Sequence, residues 1–289
     1  MHTTRVRGFA TYEPRDGAKA LIDSTKSVLR QYKDYLPLTL RQIFYRLVTM
    51  DVIGKTEKDY KRLGEILNRA RRGRLIAFAA IRDDGVVTDA PASYGSVDDA
   101  LATLRGHIAS LQIDRQAGQP RRMRIWCEAA GMVPQLTRVA HEYGISVMSS
   151  GGFDSVTIKH HVGQELAESG RLTVLHLGDL DPSGEHVYSS LDEDVRSFAK
   201  SYGGDVDFTR IAVTAYQVHR YGLPTSPPKA TDRRSFSGTA TTQCEALDPA
   251  TLAQIVRDAI RCRLDPDAYA SALEYESECR AELTSRLAR

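Results

Sequence analysis

The chain has 289 residues, of which 42% are hydrophobic, and a formal net charge of +2 at pH 7. This length allows one large or two medium domains with ordinary cores. The four cysteines are scattered without a Cys-x-x-Cys pair, which argues against a zinc ribbon and a disulfide framework. The sequence has neither a secretory signal nor a run of ~18 apolar residues, so we expect no membrane contact and a cytoplasmic location.

The charge is divided unevenly along the chain. Residues 1–82 contain 18 Lys and Arg against 8 Asp and Glu, whereas the remaining residues contain 21 against 29. A basic segment followed by an acidic one favours a module for a polyanion next to a module for a metal ion.

The basic segment contains a predicted helix that starts after Thr39, which has the position and residue type of an N-cap. Tyr45 falls off the apolar face of this helix, on the side of Arg41 one turn earlier, so we expect its side chain to be exposed. The apolar residues of the face have helical spacing, and they are Leu40, Ile43, Phe44, Leu47 and Val48.

A second helix is predicted from about Glu57 to Arg72, after a short turn at Gly54. Its apolar face contains Tyr60, Leu63, Ile66, Leu67 and Ala70. Its opposite face carries basic residues with few interleaving acids, which favours phosphate contacts with DNA over a merely solvated surface; they are Lys58, Lys61, Arg69 and Arg72. With an apolar run over 75–81 and a turn at 83–85, the pattern indicates a winged helix-turn-helix domain over residues 1–85.

A connecting helix and a linker are predicted between the two modules. Residues 96–111 have the pattern of a helix, and residues 114–122 are polar and contain glycine and proline. We therefore place a connecting region at 86–120 and a second domain at 121–289.

The second domain alternates predicted strands and helices, which implies a parallel sheet joined by right-handed crossovers. Strands are predicted at 123–128, 145–148 and 171–179, and helices at 132–143, 154–167 and 183–199. Two further helices are predicted at 249–262 and 266–287. The Pro/Ser/Thr/Gly-rich stretch at 222–242 is too long for a simple turn and is either a loop over DNA or a disordered segment.

Three acids follow the predicted strands. Glu128 ends the first strand, and Asp179 and Asp181 end a later one with the i, i+2 spacing that points two side chains the same way. Ligands bind at the carboxyl ends of parallel strands, and oxygen ligands of this kind hold Mg²⁺. The alternatives are that Asp181 is only the N-cap of the next helix, before Pro182, and that Glu128 is a solvated strand-end acid.

These residues resemble a Toprim domain, the metal-binding module of topoisomerases, some primases and some nucleases. The resemblance covers about residues 121–218 and rests on Glu128, the Gly-rich turn at 151–152 and the run Asp179-Leu-Asp-Pro-Ser-Gly184. Relatives often carry a lysine or a further acid right after the glutamate, whereas this chain has Ala129 and Ala130.

A winged helix followed by Toprim resembles the topoisomerase VI A subunit, its meiotic double-strand-break relatives and the short stand-alone mini-A proteins of bacteria and phages. Relatives carry Arg-Asp-Ile-Phe/Tyr-Tyr in the winged helix, which here reads Arg41-Gln-Ile-Phe-Tyr45, with Gln42 in place of the aspartate. The resemblance implies that Tyr45 is the nucleophile, that Arg41 assists it, and that Glu128, Asp179 and Asp181 hold Mg²⁺, with Mn²⁺ as an alternative.

The family resemblance also implies partners. Tyrosine and metal come from different protomers in that family, so a homodimer that cuts both strands of double-stranded DNA is implied, in a nucleoid-associated location. The chain has no Gly-rich phosphate loop, so strand passage would need a separate ATPase subunit. Two other functions stay open: a Toprim nuclease that hydrolyses DNA without Tyr45, and a DNA-binding protein without catalysis.

Overall fold

The computed structural model describes residues 9–82, 93–149, 156–168, 170–228, 234 and 236–287. Within these ranges the chain is an α/β protein with ten α-helices, a four-stranded parallel sheet and helices at its C-terminal end. The predicted turns at 83–85 and 151–152, and the predicted helix start at 154, lie outside the described residues. None of the described helices combines the length and the apolar character needed to cross a bilayer.

The N-terminal unit is built from three helices, α1 (Asp16–Gln31), α2 (Leu40–Thr49) and α3 (Glu57–Arg72), around one core. Two short strands, β1 (Leu38–Thr39) and β2 (Ile81–Arg82), pair in parallel beside them. The predicted α2 and α3 are both present. Helix α1 was not among the predicted elements, and only the end of the apolar run at 75–81 is a strand.

Helix α2 begins with a complete capping box between Thr39 and Gln42, the residue found where the family resemblance predicts an aspartate. The Thr39 side chain accepts the Gln42 N–H at 3.1 Å, and Gln42 Oε1 accepts the Thr39 N–H at 2.9 Å. Gln42 is buried, and its Nε2 donates to Gln135 Oε1 of the other unit at 2.5 Å. An aspartate could accept the backbone N–H, but when ionised it has no hydrogen to donate to Gln135.

The connecting region contains α4 (Val97–Ala109), within the predicted range of 96–111. No side chain of α4 is buried. The linker after it is fixed by ion pairs: Arg122 binds Asp114 at 2.7 Å, and Arg115 binds Glu276 at 2.6 Å.

The second unit is a parallel sheet of four strands in the order β4-β3-β5-β6. These strands are β3 (Arg122–Cys127), β4 (Val147–Ser149), β5 (Arg171–Leu177) and β6 (Asp205–Ala212). The predicted strands β3, β4 and β5 are present within a few residues of their expected bounds, and β6 is an addition. The parallel sheet predicted from strand–helix alternation is therefore confirmed.

Helices cover both faces of this sheet. One face packs on α5 (Val133–Ala140) and α9 (Pro249–Arg261), and the other on α6 (Val156–Glu168) and α7 (Pro182–Ser201). The central strand β5 is accordingly buried on both sides from Leu172 to Leu177. Two helices, α8 (Ala215–Arg220) and α10 (Pro266–Leu287), complete the chain.

The two units are in direct contact along α2. Ala246, which belongs to the C-terminal half of the chain, is buried in the N-terminal core. Arg138 of α5 donates to the Asp34 carbonyl at 2.9 Å, and Lys55 donates to the Pro224 carbonyl at 2.9 Å. Arg46 of α2 also donates to the Ala246 carbonyl, and Tyr45 of α2 donates to Gln243, so α2 lies against the segment that follows the 222–242 stretch.

Candidate active site at the carboxyl end of the sheet

The acids meet at the point where the sheet topology switches. Strand β3 lies between β4 and β5, so the chain leaves β3 to one side and later returns on its other side. Ligand sites of parallel α/β sheets form at such a point. Glu128 follows β3, Asp179 lies two residues after β5, and the Asp179 N–H donates to Glu128 Oε2 at 3.1 Å. The predicted neighbourhood of these two acids is thus present.

Two glycines allow the backbone to pack this closely. A Cβ on Gly184 would lie 2.3 Å from the carbonyl oxygen of Asp179, a distance at which atoms overlap. A Cβ on Gly178 would lie 2.9 Å from Glu128 Oε2 and 2.7 Å from the ring of His176. The glycines therefore let the first turn of α7 and the end of β5 approach the two carboxylates.

The pKa of Asp179 is raised from its ordinary value of 3.8 to about 7. Burial is the main cause; an N–H donated by Cys244 at 2.8 Å opposes it, while the charges of Glu128 and Glu245 add to it. Burial likewise raises the pKa of Glu128, against the N–H bond from Asp179. Two neighbouring carboxyl groups whose pKa values are both raised form a site where a cation is stabilising.

Asp181 is the N-cap of α7, as the alternative interpretation predicted. Its Oδ1 accepts the Gly184 N–H at 2.7 Å, and Pro182 occupies the first turn. One carboxylate oxygen is thus committed to the helix. Asp181 is still close enough to raise the pKa of both Glu128 and Asp179.

The side chains at this site offer Mg²⁺ a pair of carboxylates, not a complete set of protein ligands. Within the described residues, no three acid, histidine or cysteine side chains converge as a ready metal centre. Mg²⁺ is usually bound by one or two carboxylates together with waters and substrate phosphates. Glu128 and Asp179 supply such a pair.

Tyr45 is buried, so the expectation that its side chain is exposed is wrong. Its side chain is only 4% exposed, because residues 243–246 cover the side of α2 that the apolar pattern leaves polar. The hydroxyl donates to Gln243 Oε1 at 2.5 Å. Burial and the charge of Glu245 raise the pKa of Tyr45 well above its ordinary value, although Arg41 opposes this.

Arg41 lies beside the same segment, one turn before Tyr45 as the sequence predicts. Its Nη1 is 3.8 Å from Glu245 Oε1, and the Glu245 side chain is almost fully buried. Burial acts against the charged form, yet Glu245 and the neighbouring tyrosines hold the pKa of Arg41 above its ordinary value. The guanidinium is partly exposed and remains positively charged.

The segment Gln243–Glu245 joins the tyrosine to the acids within one chain. Gln243 accepts a hydrogen bond from the Tyr45 hydroxyl. Cys244 donates its N–H to Asp179, and Glu245 pairs with Arg41. Leu180, between the two aspartates, pairs with Thr242 in an antiparallel bridge. The tyrosine and the metal-binding acids, which the resemblance predicts to come from different protomers, are therefore neighbours in a single chain.

The basic residues of α3 lie on its outer face. Lys58, Lys61 and Arg69 are exposed and Arg72 is half-buried. Lys61 pairs with Glu57 at 2.6 Å, and Arg72 donates to Asn68 at 2.9 Å. The predicted apolar face of α3 is present, with Leu63, Leu67 and Ala70 buried.

Sequence reasoning missed two residues of this site. Glu245 gives no signal because it is an isolated acid after the Pro/Ser/Thr/Gly-rich stretch. Arg210, on β6, donates to the Gly178 carbonyl at 3.2 Å and also to the Asp179 carbonyl, which fixes the loop after β5. The ends of the 222–242 stretch are ordered, since Ser226 pairs with Thr241; residues 229–233 and 235 lie outside the described residues.

The fold and the site define an α/β protein with a half-buried carboxylate pair at the topological switch point of a parallel sheet. No protein-family model matches the chain, and no curated protein has a significant sequence match to it.

Proposed function

We propose that this protein is a metal-dependent DNA-cleaving transesterase of the topoisomerase VI A type, with a winged-helix unit and a Toprim unit. The observation that carries the proposal is the convergence of three groups from two units. Gln243 and Glu245 contact Tyr45 and Arg41 of α2, respectively. Cys244, which lies between them, donates its N–H to Asp179 at the end of the sheet. A nucleophile, a cation for its charge and carboxylates for a metal are the parts that phosphodiester transfer needs.

In the proposed reaction, the Tyr45 oxygen attacks a DNA phosphorus and forms a 5′-phosphotyrosyl bond while the bond to the 3′ oxygen breaks. The phenolic proton is released and the leaving 3′ oxygen takes up a proton, so one phosphodiester replaces another and the reverse step reseals the DNA. Arg41 stabilises the charge on the phosphate or on the phenolate. Glu128 and Asp179 would hold Mg²⁺ or Mn²⁺ with Asp181 beside them, and the metal neutralises phosphate charge when bound.

The basic face of α3 supplies the proposed DNA contacts. Lys58 and Lys61 are exposed on α3, and Tyr60 of the same helix lines the cavity beside Arg41, so the basic helix lies next to the site. Such contacts to phosphates give affinity without reading bases. We propose that a homodimer brings two sites to one duplex for a double-strand break, in a nucleoid-associated location, with any strand passage depending on a separate ATPase subunit.

One observation favours a second function, hydrolysis of DNA by a Toprim nuclease. The Tyr45 hydroxyl is buried and bonded to Gln243, and its pKa is raised, so the phenol is not a free nucleophile in this conformation. Hydrolysis would use water and the acids alone. The two functions differ in the fate of the DNA end.

The test incubates the wild type, Tyr45→Phe, Asp179→Ala and the exposed control Tyr275→Phe with supercoiled plasmid and Mg²⁺, followed by a detergent quench. Gels run with and without protease reveal protein attached to DNA ends. We expect covalent ends from the wild type and from Tyr275→Phe only, with at least about a 10³-fold loss in the other two variants.

Two results would contradict the transesterase. If Tyr45→Phe cuts as well as the wild type and leaves protein-free ends, the protein hydrolyses DNA. If every variant binds the plasmid but none cuts it with Mg²⁺ or Mn²⁺, catalysis by this chain alone is excluded and DNA binding is the activity that stands.

A further inference from the structure

A cavity of about 380 Å³ lies between the two units, next to the site. One side is the first turn of α2, the other is the turn that follows Glu128 and leads into α5. Two arginines, Arg41 and Arg82, line it, and so does the carboxylate of Glu245. The remaining lining residues are Thr39, Leu40, Tyr60, Ala129, Ala130 and Gly131.

The cavity has the chemistry of an anion site. It combines two guanidinium groups with the N-terminal turn of α2, whose dipole favours negative charge. The side opposite Arg41 is made of Ala129, Ala130 and Gly131, which leave space. These small residues leave the cavity open next to Glu128.

Glu245 already places one anion in this cavity. Its side chain is 6% exposed and its Oε1 lies 3.8 Å from Arg41 Nη1. The residues on either side of it are fixed, because Cys244 donates its N–H to Asp179 and the Ala246 carbonyl accepts from Arg46. Held there, the carboxylate is close enough to raise the pKa values of Arg41, Tyr45 and Asp179.

We infer that this cavity is the subsite for a phosphate of the DNA and that Glu245 is an internal competitor, whose carboxylate occupies the phosphate position beside Arg41. The inference rests on the proposed function for its choice of DNA as the source of the phosphate. Entry of a phosphate requires the Glu245 carboxylate to leave Arg41, since two anions beside one guanidinium repel each other. The segment that carries Glu245 therefore sets how readily DNA enters the site.

The first test measures binding, not cleavage. Inorganic phosphate and a 12-base-pair duplex are titrated by calorimetry into the wild type, Glu245→Gln and the exposed control Glu274→Gln. We expect Glu245→Gln to bind both probes on the order of tenfold more tightly, because it keeps the shape and removes the competing charge. Equal or weaker binding of inorganic phosphate by Glu245→Gln, with Glu274→Gln unchanged, would overturn the inference.

A second variant protects the test against misfolding of Glu245→Gln. Ala130 is an exposed residue of the cavity rim, and Ala102 is an exposed alanine of α4. Ala130→Asp adds an anion to the cavity and should weaken phosphate binding on the order of tenfold, whereas Ala102→Asp should not. Unchanged phosphate binding in Ala130→Asp would contradict the subsite.

The two proposals fail separately. If the wild type forms no covalent DNA end but the phosphate titrations behave as expected, the subsite stands and the transesterase does not. If covalent ends form but neither cavity variant changes phosphate affinity, the transesterase stands and the competitor is excluded.

Discussion

At the scale of single residues, the position of Asp179 at the carboxyl end of the sheet determines its pKa. Asp179 follows the buried strand β5, and burial, with the charges of Glu128 and Glu245, raises its pKa from 3.8 to about 7. An acid whose folded pKa is raised binds protons in the native state where the unfolded chain has already released them. Its contribution to the free energy of unfolding therefore falls as pH rises from about 4 to about 7, and stays low above that.

This predicts a pH-dependent effect of Asp179→Asn in the absence of metal. Asparagine still accepts the Cys244 N–H through its side-chain oxygen but carries no charge. Relative to the wild type, we expect the variant to gain at least about 1 kcal/mol in free energy of unfolding between pH 4 and pH 8. Urea denaturation at these two pH values measures the gain, and a difference that does not change with pH would contradict the raised pKa.

The sequence predicted Glu128, Asp179 and Asp181 because their signal is local: a strand, an acid and a glycine-bearing turn. The burial of Tyr45 could not be predicted in this way. It depends on Gln243, almost 200 positions later in the chain, and on Ala246 entering the N-terminal core. Helical periodicity describes only the face that packs inside its own unit.

At the scale of elements, the start of α7 combines two roles that the sequence left as alternatives. Asp181 caps the helix with one oxygen and raises the pKa of Glu128 and Asp179 through its charge. Capping depends on an acceptor oxygen, whereas metal affinity depends on the negative charge, so amide and alanine substitutions separate the two roles.

We expect Asp181→Ala to lower the free energy of unfolding by about 1 kcal/mol and Asp181→Asn by only a few tenths of that. Both variants should weaken Mg²⁺ binding, measured by calorimetry, because each removes a negative charge next to the carboxylates of Glu128 and Asp179. Asp248 is a matched control, since it caps α9 in the same way ahead of Pro249. If Asp248→Asn weakens Mg²⁺ as much as Asp181→Asn does, the effect is not local and Asp181 is only a cap.

Strands and helices of the second unit were predicted with small errors because buried strands and capped helices carry strong local signals. Strand β6 was missed because its outward positions are polar and charged, as at Asp205 and Asp207. Helix α1 was missed because its N-cap position is Arg15, without a side-chain cap to mark its start.

At the scale of the whole molecule, the contact between the units decides where the site is assembled. The family resemblance implies that tyrosine and metal come from different protomers. In this chain Tyr45 and Asp179 are both bonded by the consecutive residues Gln243 and Cys244 of their own chain. Sequence motifs list the parts of such a site but not which copy of the chain supplies each part.

A mixing experiment distinguishes the two assemblies. Tyr45→Phe and Asp179→Ala are co-expressed with different tags, purified as a mixed pair and incubated with plasmid and Mg²⁺. If tyrosine and acids act within one chain, each copy lacks one essential group and no protein-linked DNA forms. If they act across protomers, one of the two sites receives an intact tyrosine and an intact acid pair, and nicked plasmid carrying one attached protein appears.

We expect the mixed pair to be inactive, because Gln243 and Cys244 of one chain bond the Tyr45 and the Asp179 of that same chain. A control pair of wild type with Tyr45→Phe must give attached protein, which shows that mixed pairs form and can react. Protein-linked nicks from Tyr45→Phe with Asp179→Ala would instead mean that α2 leaves its own sheet to reach the partner's. The contacts of Gln243 and Glu245 with Tyr45 and Arg41 would then belong to a resting arrangement that opens before the DNA is cut.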